Sequence, residues 1–184
     1  GQHISWRYPF VEIATAALFA LCLWQFGFTG QALMACFFVA TLLALTWIDA
    51  ETFLLPDVLT QALLWVGLVG SAMSLTPTPL LQSVSGAVMG YGLLWGVGKA
   101  FQIWTGKEGM GQGDFKLLAA LGAWLGWPAL VSLVLIASLT GVAGGLLLRA
   151  RGQLGEDGYI PFGPFLAFAG LWVMVWGPLP GLQI

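Results

Sequence analysis

The chain has 184 residues, of which 59% are hydrophobic and only 8% charged, with a net charge of −2. Soluble domains carry about 25% Asp, Glu, Lys and Arg, so roughly a third of the usual charge is present. Together with 26 glycines the apolar share reaches about 73% against about 45–50%. That excludes a soluble globular domain, a disordered chain and a disulfide scaffold, and with no basic patch it excludes a nucleic-acid binder.

A helix crossing the ~30 Å hydrocarbon core needs about 20 apolar residues. Between polar breaks the chain offers segments near 10–28, 31–48, 57–74, 80–104, 114–127, 128–148 and 163–180. The fifth is the shortest. The expected fold is an all-α polytopic membrane protein with about seven transmembrane helices in a single domain, 1–184. Cys22 and Cys36 both sit in apolar runs and read as small buried hydrophobes, neither paired nor bound to metal. With His3 as the only histidine, no zinc site is expected within these residues. The chain opens on Gly1 without a signal-peptide layout, and is expected to begin partway along a longer protein.

Placing Arg7 on the cytoplasmic side and counting crossings brings every Lys and Arg to that side: Lys99, Lys107, Lys116, Arg149 and Arg151. The short fifth segment must cross for this to hold. The acids follow: Glu12, Asp49, Glu51, Asp57, Glu108, Asp114, Glu156 and Asp157 all fall at or near the same face. Chemistry is therefore expected at the inner membrane surface. Glycines at small-xxx-small spacing (Gly86/Gly90, Gly92/Gly96, Gly122/Gly126, Gly141/Gly145) predict close helix packing.

Most of these acids have an ordinary reading. Asp57 follows Pro56 at a helix start, where a carboxylate complements the helix dipole. Glu51, Glu108, Glu156 and Asp157 read as solvated loop charges, and Glu12 as a partner for Arg7. Asp49 and Asp114 differ. Asp114 stands in Gly111-Gln112-Gly113-Asp114, where two glycines remove side chains from the backbone just before the acid and let a peptide approach. Asp49 closes the second segment at the same depth. Two adjacent carboxyls share a proton, which suits aspartyl proteolysis: the ionised partner takes a proton from water and the protonated one donates to the scissile carbonyl.

GxGD at a span start, with a second Asp 65 positions earlier at an inner span end, resembles the type IV prepilin peptidase (leader peptidase) family of GxGD membrane aspartic proteases. The resemblance rests on SWRYPFVE (5–12), IDAETFLLPD (48–57), GMGQGDFKLLAALGAWLG (109–126) and IPFGPFLAFAG (160–170). It implies that Asp49 and Asp114 are the catalytic pair. It also implies a function: removal of the short basic leader of type IV prepilins or type II secretion pseudopilins, after a glycine, at the cytoplasmic face of the bacterial inner membrane. Gly111 and Gly113 are expected to shape the approach. The run Ile160–Pro164 cannot be regular helix throughout, and Pro161, Phe162 and Gly163 are expected beside the dyad, seating substrate. Peptide cleavage needs no metal or cofactor. The partners implied are the prepilin or pseudopilin substrate and membrane lipids.

Typical members carry, before the segment matching ISWRYPFVE, a further span and a loop with two CxxC pairs that would bind zinc. This sequence lacks both. Many members also methylate the new N-terminus with S-adenosylmethionine, the cofactor a retained N-methyltransferase activity would use here. Two rival readings carry distinct expectations. A signal-peptide-peptidase-like intramembrane protease would hold its second aspartate deeper in a span. A small proton or cation transporter would spread its acids through the membrane depth.

Overall fold

The computed structural model describes residues 7–106, 109–152 and 160–181. These form seven α-helices: α1 (Arg7–Phe26), α2 (Gly30–Thr52), α3 (Asp57–Ala72), α4 (Leu80–Thr105), α5 (Gln112–Leu125), α6 (Leu130–Ala150) and α7 (Gly163–Trp176). A 3₁₀ turn, Trp127–Ala129, leads into α6. Each apolar segment read from the sequence is a helix. Three stretches, α2, α4 and Trp127–Ala150, are long and apolar enough to cross a membrane, and Val11–Phe26, α3 and α7 are shorter apolar helices. Large side chains on the outer surface are apolar, as a bilayer requires: Trp24, Phe28, Leu81, Ile103 and Trp104 are among the most exposed.

The second helix runs further than its apolar stretch. Asp49, Ala50, Glu51 and Thr52 contain no breaker, so the helix continues until Phe53 turns left-handed (φ 56°) and donates its N–H to the Asp49 carbonyl. Thr52 Oγ1 bonds back to the Ile48 carbonyl at 2.7 Å. Glu51, expected in a loop, is therefore an exposed residue of α2. Pro56 then forces an extended backbone, and α3 begins at Asp57.

The fifth helix is short because it does not face lipid. Every residue from Asp114 to Trp124 is buried except Lys116. It is enclosed by α3, α4 and α7. Leu117, Leu118 and Leu121 are fully buried together with Phe38 and Leu42 of α2 and Leu166 of α7. α7 lies between α2 and α5: a Cβ on its Gly170 would reach Leu121 at 2.6 Å and Leu42 at 3.4 Å.

Glycine spacing does predict one close crossing. Cβ atoms on Gly86 of α4 and Gly122 of α5 would each strike the other's backbone, and one on Gly90 would stand 2.7 Å from the Leu118 carbonyl. Ser83 Oγ seals this crossing on the Ala123 carbonyl at 2.5 Å. Other pairs do different work. No described residue lies within 4 Å of a Cβ on Gly92 or Gly96, though Gly92 borders a groove lined also by Trp127, Pro128, Leu130 and Val131, and Gly126 is a positive-φ helix terminator (φ 81°). Cys22 and Cys36 are free thiols. Glu12 is exposed on α1. The expected pairing of Glu12 with Arg7 lies outside the described residues, as do the readings of His3, Lys107, Glu108, Glu156 and Asp157.

Candidate active site

The chain reverses direction at each connection, so the end of α2 and the starts of α3, α5 and α7 gather at one end of the bundle. Asp49 lies in the last turn of α2, 4% exposed, and Asp114 in the first turn of α5, 8% exposed. Leu55 packs against both of the turns that hold them, reaching Gly113 beside Asp114 and Gly163 beside Asp49. Among the described residues no three His, Cys, Asp or Glu side chains cluster as a metal site would.

Two glycines bring the helices this close. Gly163 opens α7, and its N–H donates to Asp49 Oδ2 at 3.0 Å. A Cβ at Gly163 would stand 2.6 Å from that oxygen and 3.1 Å from Leu55 Cδ2. A Cβ at Gly113 would stand 2.8 Å from Leu55 Cβ. Leu55, from the short link between α2 and α3, is thus wedged between the turn that carries Asp114 and the turn that holds Asp49. Gly111 is the N-cap of α5, and its carbonyl accepts the Asp114 N–H at 3.2 Å.

Of the residues singled out from the sequence, Asp49, Asp114, Gly113 and Gly163 meet around Leu55. Gly113 does not leave open backbone, as expected for substrate approach, because the protein's own Leu55 fills that space. Gly111 does: its Cβ position meets Asp114 Oδ2 only at 3.7 Å. It borders a cavity of about 190 Å³ lined also by Tyr91, Lys99 and Gln102. Pro161 and Phe162 precede α7 and face a groove between α6 and α7. Pro164 sits in the first turn of α7, where its missing N–H costs nothing.

Asp57 stands in the first turn of α3, where its carboxylate complements the helix dipole as expected, although no side-chain capping bond closes the start of the helix. Asp57 Oδ1 instead accepts from Lys116 Nζ at 2.6 Å, tying α3 to α5 one turn from Asp114. Two contributors were not assigned from sequence. Leu55 lies inside a quoted stretch but reads as one apolar residue among several. Lys116 shares the acid-rich end with several possible partners, and only the azimuths of α3 and α5 choose among them.

The model of the type IV leader peptidase family matches residues 36–146, a span containing both Asp49 and Asp114. The chain is 49% identical over 176 residues to a prepilin leader peptidase/N-methyltransferase of Pseudomonas aeruginosa, covering 95% of this chain and 60% of that protein. It is 48% identical over 183 residues to the protein of that name from Dickeya chrysanthemi, covering 98% and 64%. The corresponding protein of Xanthomonas campestris pv. campestris is 47% identical over 178 residues, with 96% and 61% covered. The chain therefore spans about three fifths of the length of these relatives. No solved structure matches it. With both aspartates inside the matched span, and identity near one half along almost its whole length, the chain belongs to the type IV leader peptidase family.

Proposed function

We propose that this chain carries an aspartic endopeptidase of the bacterial inner membrane, a seven-span unit with its active end toward the cytoplasm. It removes the short basic leader of type IV prepilins or type II secretion pseudopilins, cutting after a glycine. The observation that carries this reading is that two buried carboxyls, Asp49 and Asp114, lie at the end of the bundle where Leu55 packs against both of their turns and α7 donates a backbone N–H to Asp49. Sidedness rests on the concentration of Lys and Arg at that end.

The chemistry follows from the geometry. Asp49 Oδ2 accepts from the Gly163 N–H, so the proton exchanged during reaction sits on the other Asp49 oxygen or on Asp114. A water between the carboxyls loses a proton to the ionised partner as its oxygen bonds to the scissile carbonyl carbon. The protonated partner donates to the carbonyl oxygen. The tetrahedral diol then collapses: one hydroxyl gives its proton to the carboxylate left ionised, the C–N bond breaks, and the leaving amine takes up the proton held by the other partner. Burial of both acids keeps bulk water from competing with the positioned one.

The relatives' name includes N-methyltransferase, which makes S-adenosylmethionine the relevant cofactor there. The cavity beside Gly111 has aromatic walls from Tyr91 and Trp95, its charged lining group is Lys99, and no acid for ribose hydroxyls is among its described lining residues. That described lining does not fit the cofactor, and no step here runs through it.

The test is cleavage in liposomes of a prepilin-like substrate with a basic leader, a glycine and an apolar helix. Wild type is expected to cut after the glycine, and folded Asp49→Asn and Asp114→Asn variants to leave the substrate intact. Cutting by either variant at the wild-type rate removes that carboxyl from the mechanism.

A further inference from the structure

Next to the dyad, α6 and α7 do not close on each other. Between them runs a groove of about 480 Å³, within the ~300–1,000 Å³ of ligand clefts. On α6 its wall is one helical stripe that includes Ser138, Gly141, Gly145 and Arg149; on the other side stand Phe162 and Phe165. From Ser138 to Arg149 the stripe runs about 16 Å at 1.5 Å per residue, the length of three helical turns. Arg149 marks its end nearest the dyad. The rest of the lining is apolar or small.

Continuity with the catalytic end separates this groove from ordinary lipid-facing surface. Phe162 lines the groove, and the next residue, Gly163, holds Asp49 Oδ2 through its N–H. A chain leaving the dyad on this side enters the groove directly. A Cβ on Gly141 would make ordinary contact with Phe165 at 3.5 Å and Phe162 at 3.8 Å, whereas one on Gly145 would stand 2.7 Å from Ile160. The α6 wall thus carries no side chain at Gly141, which lets another helix come close there, while Ile160 covers it at Gly145.

We infer that the α6–α7 groove is the docking site for the apolar helix of the substrate that follows the scissile bond, with Gly141 setting its width. This rests on the proposed peptidase reading and adds to it where the uncleaved part of the substrate lies. Docking three turns of helix anchors the substrate, so that its flexible leader junction is presented between Asp49 and Asp114. Such binding energy from a non-reacting part of the substrate positions the reacting bond.

The experiment compares a whole substrate, bearing its apolar helix, with a short peptide ending a few residues past the glycine. Enzymes in liposomes are wild type, Gly141→Leu, which fills the groove, and Gly96→Leu, which adds the same bulk where no described residue lies within 4 Å. Gly141→Leu is expected to lower kcat/KM for the whole substrate about tenfold, the scale of one lost pocket contact. It should leave the short peptide unchanged, and Gly96→Leu should change neither. Equal cleavage of the whole substrate by wild type and Gly141→Leu overturns the inference and leaves the groove to lipid. Equal loss on both substrates also overturns it, because the effect then reaches the dyad through Phe162. A photoreactive residue at Val142, inside the groove, supplies an independent readout. It should capture the substrate helix, whereas one at Val97 of α4 should not. If wild type cuts neither substrate while Val142 still captures the helix, docking stands and the protease reading falls; no capture at Val142 overturns docking.

Discussion

The two ends of α5 use polar groups in opposite ways. At one end Asp114 and Asp49 gather about Leu55, an arrangement that relies on two bare glycines and a single backbone N–H. At the other end every polar contact is a neutral staple: Trp124 Nε1 donates to the Leu63 carbonyl at 2.7 Å, Thr78 Oγ1 to the Trp124 carbonyl at 2.6 Å, and Ser71 Oγ to the Thr78 carbonyl at 2.7 Å. These hydroxyls and the indole satisfy themselves on backbone carbonyls, while Thr76 Oγ1, buried nearby, has no hydrogen-bond partner among the described residues. Buried carboxyls do not, and a protein that keeps two of them together gives up packing freedom around them. One end of the helix is closed by neutral staples, and the other carries the two acids to which the proposed function assigns reaction.

Matched substitutions on α5 separate the two ends most sharply. Asp114→Asn should cut kcat at least ~10³-fold while leaving the thermal midpoint near that of wild type. Trp124→Ala should do the reverse, costing about 3–5 kcal/mol of stability with kcat of the folded fraction retained. Steady-state cleavage and thermal melts in the same liposomes read both, and a Trp124 variant that stays fully stable would break the division.

Gly163→Ala tests the reactive end without touching a carboxyl. Its Cβ would stand 2.6 Å from Asp49 Oδ2, and displacing the acid by about 1 Å should cost ~10²-fold in activity. Unaltered kcat in this variant would mean that the Asp49–Gly163 contact does not position the acid.

At the α4–α5 crossing, Gly86→Ala should cost about 1–3 kcal/mol through overpacking, since its Cβ would strike the Gly122 backbone. Ser83→Ala removes a single interhelical bond at the same crossing and should cost only about 0.6–2 kcal/mol. Neither should alter kcat of the folded protein. The smallest effect is expected from Lys116→Met. Its ion pair with Asp57 is partly exposed, and such pairs contribute about 0.2–1 kcal/mol. Salt titration of the melting curve would detect it.

How far each part could be read from sequence depends on the range over which it is decided. Helix existence is decided locally, by runs of apolar residues between Gly, Pro and charge, so all seven helices were legible in order. The aspartates were legible too, because a carboxylate in a chain this apolar is costly unless it has work to do. Helix ends were less so: α2 reaches Thr52 because no breaker intervenes, which hydropathy does not register. The reasons for individual glycines were not legible. Gly86, Gly96, Gly113 and Gly163 share one residue type, yet one faces a helix, one meets no described residue, one takes in Leu55 and one makes room for a carboxyl.

The sequence by itself determined that the chain belongs in a membrane, the order of its helices and which two acids stand apart. Tertiary structure alone decided that α7 would come between α2 and α5, that Gly163 would hold Asp49, that Lys116 would choose Asp57, and that a groove would open beside Phe162. Apolar length and helix formation are properties of contiguous residues. Partners are chosen by the rotation of each helix about its axis, which is settled only when all the helices compete for the same space.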